Sequence, residues 1–137
     1  MSSSSTRVLV VDDNELMRET LIDILSMRGI EASGASNPAD ACAMIDTTEY
    51  DLVLLDLYLG EVTGLEVLQD IRKAHPDLAV VMMSASPDED ARHHARQQGA
   101  RAFLAKPMDP AELLRLAKEV REERQAGPDE GQATGSS

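Results

Sequence analysis

One cysteine, no tryptophan, one phenylalanine and two tyrosines stand among 137 residues. The single thiol, Cys42, excludes an internal disulfide and fits a reducing compartment. With aromatics at 2%, any core must be aliphatic, built from Leu, Val, Ile, Met and Ala. Positive charge is scarce too: 13 Lys and Arg face 25 Asp and Glu, for a formal net charge of −12. Such a chain lacks the clustered cations that sequence-independent contact with a nucleic-acid backbone requires, and it is repelled by an anionic membrane. No apolar run approaches the roughly 20 residues of a membrane span. The start, Met1-Ser2-Ser3-Ser4-Ser5, has no apolar stretch of a signal peptide. A cytoplasmic protein with no direct nucleic-acid or membrane contact is the simplest expectation.

What is present is a hydrophobic fraction of 42%, ordinary for a globular domain. The length suits one domain that buries a core without disulfides or metals. Apolar runs and helical periodicities alternate. Arg7-Val8-Leu9-Val10-Val11 reads as a strand buried on both faces. Met17, Leu21, Ile24 and Leu25 give a helix ending near Arg28, stopped by Gly29, and Ile30–Ser33 reads as a weaker strand. Asp51–Leu55, Leu78–Met83 and Arg101–Leu104 are three further strands, and Gly64–Ala74 is a helix with Val67, Leu68 and Ile71 on one face. The last helix repeats Leu113, Leu116, Ala117 and Val120, and its run Glu119–Arg124 reads as a solvated end.

Three segments share one grammar: Asn37-Pro38-Ala39-Asp40, Ser86-Pro87-Asp88-Glu89 and Asp109-Pro110-Ala111-Glu112. Each offers a capping side chain, a proline at the first helical position and an acid favoured by the helix dipole. The helix predicted from Ser86 to about Gln98 has only Ala91 and Ala95 as an apolar stripe, so weak packing is expected. Residues 1–5 and the Gly-, Pro- and Ser-rich stretch 125–137 read as disordered, leaving one domain over 6–124.

Five β-α units with apolar strands imply a doubly wound α/β fold, a parallel sheet with helices on both faces. Ligands gather at the carboxyl ends of strands in such folds. Asp12 and Asp13 follow the first strand, Asp56 the third, Ser84 the fourth and Lys106-Pro107 the fifth. Three carboxylates in one crevice repel, and a divalent cation removes the conflict. Hard oxygen donors without His or Cys favour Mg²⁺. A carboxylate, a cation site, a lysine and a hydroxyl around one point suit phosphoryl transfer, with Asp56 itself able to act as acceptor. Each residue also has a plain structural reading: Asp12, Asp13 and Asn14 as helix caps, Asp56 as a turn opener, Ser84 as a loop hydroxyl. The adjacent His93 and His94, and His75, read as surface residues.

In order and spacing, Val8-Leu9-Val10-Val11-Asp12-Asp13, Arg18, Leu54-Leu55-Asp56-Leu57, Gly64, Met83-Ser84-Ala85, Phe103 and Lys106-Pro107 resemble the receiver domain of two-component response regulators. The resemblance covers about 6–124 and implies a flavodoxin-like, CheY-like sheet of order 2-1-3-4-5 with five helices. It implies that Asp56 is the phosphoacceptor, that Asp13, Asp56 and the Tyr58 carbonyl hold Mg²⁺ directly, and that Asp12 acts mainly through water. Lys106 would pair with phosphoryl oxygens, Ser84 would hydrogen-bond the phosphoryl group, and Phe103 would swing into the space Ser84 vacates. The face made by the fourth helix, fifth strand and fifth helix would then change for a partner. The implied partners are a sensor histidine kinase or histidine phosphotransfer protein, a downstream protein target and, on phosphorylation, a second copy.

The sequence departs from the family pattern at Gly60, where Pro is common, and at Thr63, where Asp often stands. Tyr58 and Ser86 occupy positions that tune dephosphorylation, and Phe103 lacks the hydroxyl of the commoner Tyr. The leading expectation is a phosphorylation-dependent switch without an output domain in this chain. Its alternatives are a receiver segment of a larger regulator or hybrid kinase, an unphosphorylated scaffold, and an aspartyl-nucleophile phosphatase. Tyr58, standing where phosphatases of that kind carry a second Asp, counts against the last.

Overall fold

The computed structural model describes residues 6–86 and 88–135, with side chains through Arg124. Five strands, β1 (Arg7–Val11), β2 (Glu31–Ala35), β3 (Leu52–Asp56), β6 (Ala79–Ser84) and β7 (Ala102–Ala105), pair in parallel in the order β2-β1-β3-β6-β7. Between β3 and β6 lies a two-stranded antiparallel hairpin, β4 (Tyr58–Leu59) and β5 (Val62–Thr63). Counting only the strands of the main sheet, the order is 2-1-3-4-5, as the resemblance implies. Five helices complete the fold: α1 (Glu15–Ser26), α2 (Pro38–Thr47), α3 (Gly64–Ala74), α4 (Glu89–Gln97) and α5 (Pro110–Gly135). The expectations for 1–5, and for a disordered tail from Gln125, fall outside the residues whose side chains are described.

The nearly continuous apolar strands have two faces to fill. Leu9, Val11, Val53, Leu55, Val80 and Met82 pack with Ile45, Val67, Leu68 and Ile71 on one side. Val8, Val10, Leu52, Leu54, Val81 and Met83 pack with Leu21, Leu25, Leu113 and Val120 on the other. Alternation along each strand thus feeds both layers, which is why no polar face shows in the sequence.

Local signals fix most ends. Gly29 adopts φ +80°, and α1 ends at Ser26, with Met27 and Arg28 in the turn rather than in the helix. Asn37 caps α2 by accepting from Asp40 N at 2.8 Å, and Asp109 accepts from Ala111 N at 3.0 Å where α5 begins. The cap expected at Ser86 is corrected: Asp88 caps α4, accepting from Ala91 N at 2.8 Å. Ser86 is instead engaged backwards, its N–H donating to Ser84 Oγ at 3.1 Å. As expected, α4 buries only Ala91 and Ala95.

The run Glu119–Arg124 is not simply solvated. Arg101 forms a two-pronged pair with Glu123 at 2.6 and 2.7 Å. Arg121 and Arg124 both reach Asp51, at 3.5 and 3.3 Å, so ion pairs tie α5 to the ends of β3 and β7.

Candidate functional site

The carboxyl edge of the sheet collects five side chains. Asp12 follows β1 directly and is wholly buried; Asp56 ends β3; Ser84 ends β6; Lys106 follows β7. Ligand oxygens of Asp12, Asp13 and Asp56 all lie within 4.8 Å of one another. Lys106 Nζ bridges two of them, donating to Asp12 Oδ2 at 2.9 Å and to Asp56 Oδ2 at 3.2 Å.

Backbone donors orient the acids. Asn14 N donates to Asp12 Oδ1 at 3.0 Å, while Asn14 itself caps α1 by accepting from Met17 N at 2.9 Å. The capping reading therefore belongs to Asn14 and leaves Asp12 and Asp13 to the crevice. Tyr58 N donates to Asp56 Oδ1 at 3.3 Å, which brings the Tyr58 peptide against the Asp56 carboxylate. Gly60 N donates to Asp13 Oδ2 at 3.0 Å. Arg18 Nη1 donates to the Asp12 carbonyl at 2.9 Å, joining α1 to the end of β1.

Gly60 takes φ +67° while no described non-glycine residue has positive φ, as a hairpin turn with Gly at its first central position requires. The departure from Pro at this position thus has a use: it lets β4 and β5 pair and aims the Gly60 N–H at Asp13. Ser84 is buried opposite Ala105, and Phe103 is half-buried opposite Met82. The Phe103 ring lies under the Arg92 guanidinium, whose carbon is 5.3 Å from the ring centroid. Sequence reasoning missed Arg92, because nothing in a separation of 11 residues signals that contact. The sequence-predicted site residues meet at one edge except Phe103, which lies two residues before the carboxyl end of β7, beside Arg92 of α4. His93 and His94 are exposed and sit edge to face with ring centroids 6.3 Å apart, while His75 pairs with Asp46 at 2.9 Å.

The electrostatics follow from burial. Removal from water and the neighbouring Asp12 charge push the Asp56 carboxyl up to about 6, although Lys106 and the Tyr58 N–H oppose the shift. Burial works against the Lys106 ammonium, but its hydrogen bond to Asp12 and the charges of Asp56 and Asp12 outweigh this and raise it. The donor set is carboxylate oxygen alone and anionic in excess of its one lysine, so it fits a hard divalent cation.

One consequence is measurable. The folded state holds the Asp56 proton more tightly than the unfolded chain, whose value is 3.8, so stability declines as pH rises from there to about 6 and is level above. The loss is about 3 kcal/mol at neutral pH without metal. The difference in urea-unfolding free energy between wild type and Asp56→Asn, measured in chelator from about pH 4 to about pH 7, should change by that amount. A difference that does not vary with pH would contradict the burial of this charge.

Residues 8–118 match the family profile described as response regulator receiver domain. The chain belongs to this family, and with it to phosphorylation-dependent two-component signalling. It is 30% identical over 115 residues to chemotaxis protein CheY of Thermotoga maritima, covering 83% of this chain and 96% of that one. It is 32% identical over 128 residues to the phosphate regulon transcriptional regulatory protein PhoB of Pseudomonas aeruginosa, covering 92% of this chain and 55% of PhoB. The chain thus spans about half of PhoB, and 28% of the alginate biosynthesis transcriptional regulatory protein AlgB from the same organism. Among solved structures, a CheY-like receiver domain protein from Methanospirillum hungatei superposes with a TM-score of 0.85 at 27% identity, covering 90% of this chain and 99% of that one. The receiver domain of NtrX from Brucella abortus does so with a TM-score of 0.79 at 35% identity, covering 84% and 98%. No described helix is long and apolar enough to cross a membrane.

Proposed function

We propose that Asp56 accepts a phosphoryl group from the phosphohistidine of a sensor histidine kinase or histidine phosphotransfer protein, in the cytoplasm, with Mg²⁺ held by Asp13, Asp56 and the Tyr58 carbonyl. The observation that carries this reading is the clustering of Asp12, Asp13 and Asp56 within 4.8 Å, with Lys106 bridging two of them. An Asp56 oxygen attacks phosphorus, the P–N bond of the donor breaks, its electron pair stays on the imidazole nitrogen, and an acyl phosphate forms. Mg²⁺, when bound, supplies the charge neutralisation that brings three carboxylates and a phosphoryl group together. Lys106 exchanges the Asp56 oxygen for a phosphoryl oxygen. Ser84, one residue past the Asp56–Met83 pairing, donates its hydroxyl to the same group. Phe103 follows Ser84 inward, and the surface of α4, β7 and α5 changes for a protein target. Because α4 is anchored by two alanines, its position costs little to alter.

Acetyl phosphate tests the reading. In the presence of Mg²⁺ the intact mass should rise by one phosphoryl group, and the gain should vanish with chelator or in Asp56→Asn. A folded, Mg²⁺-supplied protein that gains nothing would leave the scaffold reading standing. Relative length favours a second reading alongside the first. Where this receiver is one segment of a longer regulator, like PhoB and AlgB, the changed surface would act on its own output domain.

A further inference from the structure

The dipeptide Asp12-Asp13 is held by its backbone as well as by its side chains. Asp12 N donates to the Ala35 carbonyl at 3.1 Å, continuing the pairing of β1 with β2 one residue beyond Val11. The Asp12 carbonyl accepts from Arg18 Nη1 at 2.9 Å. The first contact fixes the peptide before Asp12, and the second fixes the peptide after it. Because a peptide is planar, holding the Asp12 oxygen also places the Asp13 Cα and narrows the directions its side chain can take.

The two carboxylates do not need this help equally. Asp12 is wholly buried, and its side chain is gripped by Asn14 N and Lys106. Asp13 is exposed, and among the described residues its carboxylate accepts one hydrogen bond, from Gly60 N.

Arg18 is built into its place. Its own N–H donates to the Asn14 carbonyl at 3.0 Å, closing the first turn of α1, and a helical side chain leans back toward the residues before that turn. Its stem lies across Gly34 of β2, where an added Cβ would stand 2.9 Å from Arg18 Cδ and 3.0 Å from Cγ. Gly34 has no positive φ, so the glycine serves space and not conformation. Covering apolar surface such as Ile22 accounts for the stem. It does not account for the head group. The guanidinium is given to a neutral carbonyl, and Arg18 has no carboxylate partner among the described residues.

We propose that Arg18 is a positioning residue for Mg²⁺: it aims Asp13 at the cation by fixing the Asp12–Asp13 peptide. The inference rests on the Mg²⁺ site proposed above. Two effects of the guanidinium oppose each other. Its charge repels a divalent cation bound nearby, so by charge alone Arg18 weakens Mg²⁺. Ordering Asp13 before the cation arrives removes a cost of binding, so by position Arg18 strengthens it. Position prevails, because water screens the charge of a half-buried side chain, whereas the ordering acts on a ligand that is otherwise loosely held. The sign of the change on removing Arg18 therefore separates the two.

The test is calorimetric titration of Mg²⁺ into the full chain without a phosphodonor, at a temperature where circular dichroism shows every variant folded. Arg18→Met keeps a stem over Gly34 and removes the donor and the charge. It should weaken Mg²⁺ about fivefold, the worth of one hydrogen bond. Arg18→Lys, which keeps a donor, should recover part of the loss. Gly34→Ala displaces the stem and should weaken Mg²⁺ in wild type, but have little effect once Arg18 is replaced by alanine. In Asp13→Asn, Arg18→Met should cost nothing further. A role confined to packing predicts no change in Arg18→Met. Equal or tighter Mg²⁺ binding by that variant would overturn the proposal, as would a full-sized loss that persists in Asp13→Asn. Wild type that binds no Mg²⁺ would instead overturn the metal site itself, and this inference with it.

Discussion

Lys106→Met should lower the unfolding free energy of the metal-free protein by about 3 kcal/mol at neutral pH and slow phosphorylation by acetyl phosphate on the order of a hundredfold. Lys106 is the cation that touches both Asp12, wholly buried, and Asp56, nearly so. Removing one member of a buried ionic group leaves its partners uncompensated, which costs far more than the group contributes while intact. Asp56 limits the damage by taking up a proton, since its carboxyl already sits at about 6 and loses its favourable neighbour. Two further measurements separate this account from a general packing defect. Mg²⁺ should restore more stability to Lys106→Met than to wild type, because the variant has no internal cation. Adding Asp56→Asn to Lys106→Met should recover part of the loss, a coupling that a double-mutant cycle reads directly. Equal urea midpoints and equal phosphorylation rates for wild type and Lys106→Met would make Lys106 a bystander.

The fold was legible because its signals are local and repeated. Apolar strand runs recur at β-α spacing, and Asn37-Pro38 and Asp109-Pro110 mark helix starts by side-chain chemistry that acts over three residues. Asp12, Asp13, Asp56, Ser84 and Lys106 were legible for a topological reason. A parallel sheet brings every strand's carboxyl end to one edge, so side chains up to 94 residues apart converge without any pairwise signal. Where two local signals compete, the reading fails by a few residues. Ser86 and Asp88 are both good caps, and α4 begins at Glu89, directly after Asp88, whose carboxylate accepts from Ala91 N. Contacts that depend on the docked distance between elements left no mark at all. The ion pairs of Arg121 and Arg124 with Asp51, and the stack of Arg92 on Phe103, are of this kind. The hairpin of β4 and β5 was hidden because two residues per strand are too few to show alternation.

Gly64→Ala should destabilise the protein by about 3 kcal/mol, lowering the melting temperature by on the order of 10 °C, whereas Gly60→Ala should cost about 1 kcal/mol. The two glycines lie four residues apart and are required for different reasons. At Gly60 the φ of +67° is disfavoured for a side chain, but the space around it is open, with nothing within 4 Å of an added Cβ. At Gly64 the backbone is ordinary and the space is absent: a Cβ would collide with the Asp56 carbonyl oxygen and stand 3.0 Å from the Met82 methyl. The methionine can move, but the carbonyl belongs to Asp56, the last residue of β3. Gly64 N also donates to the Leu57 carbonyl, closing the loop between Asp56 and α3. Accommodating the methyl group therefore displaces the Asp56 backbone itself. Mg²⁺ affinity and phosphorylation rate should fall in Gly64→Ala even at temperatures where it is fully folded. Gly60→Ala should alter chiefly the N–H aimed at Asp13 and weaken Mg²⁺ to a smaller degree. If Gly64→Ala melted no lower than Gly60→Ala, the close approach of α3 to the end of β3 would be wrong, and with it the placement of Asp56 against the first turn of that helix.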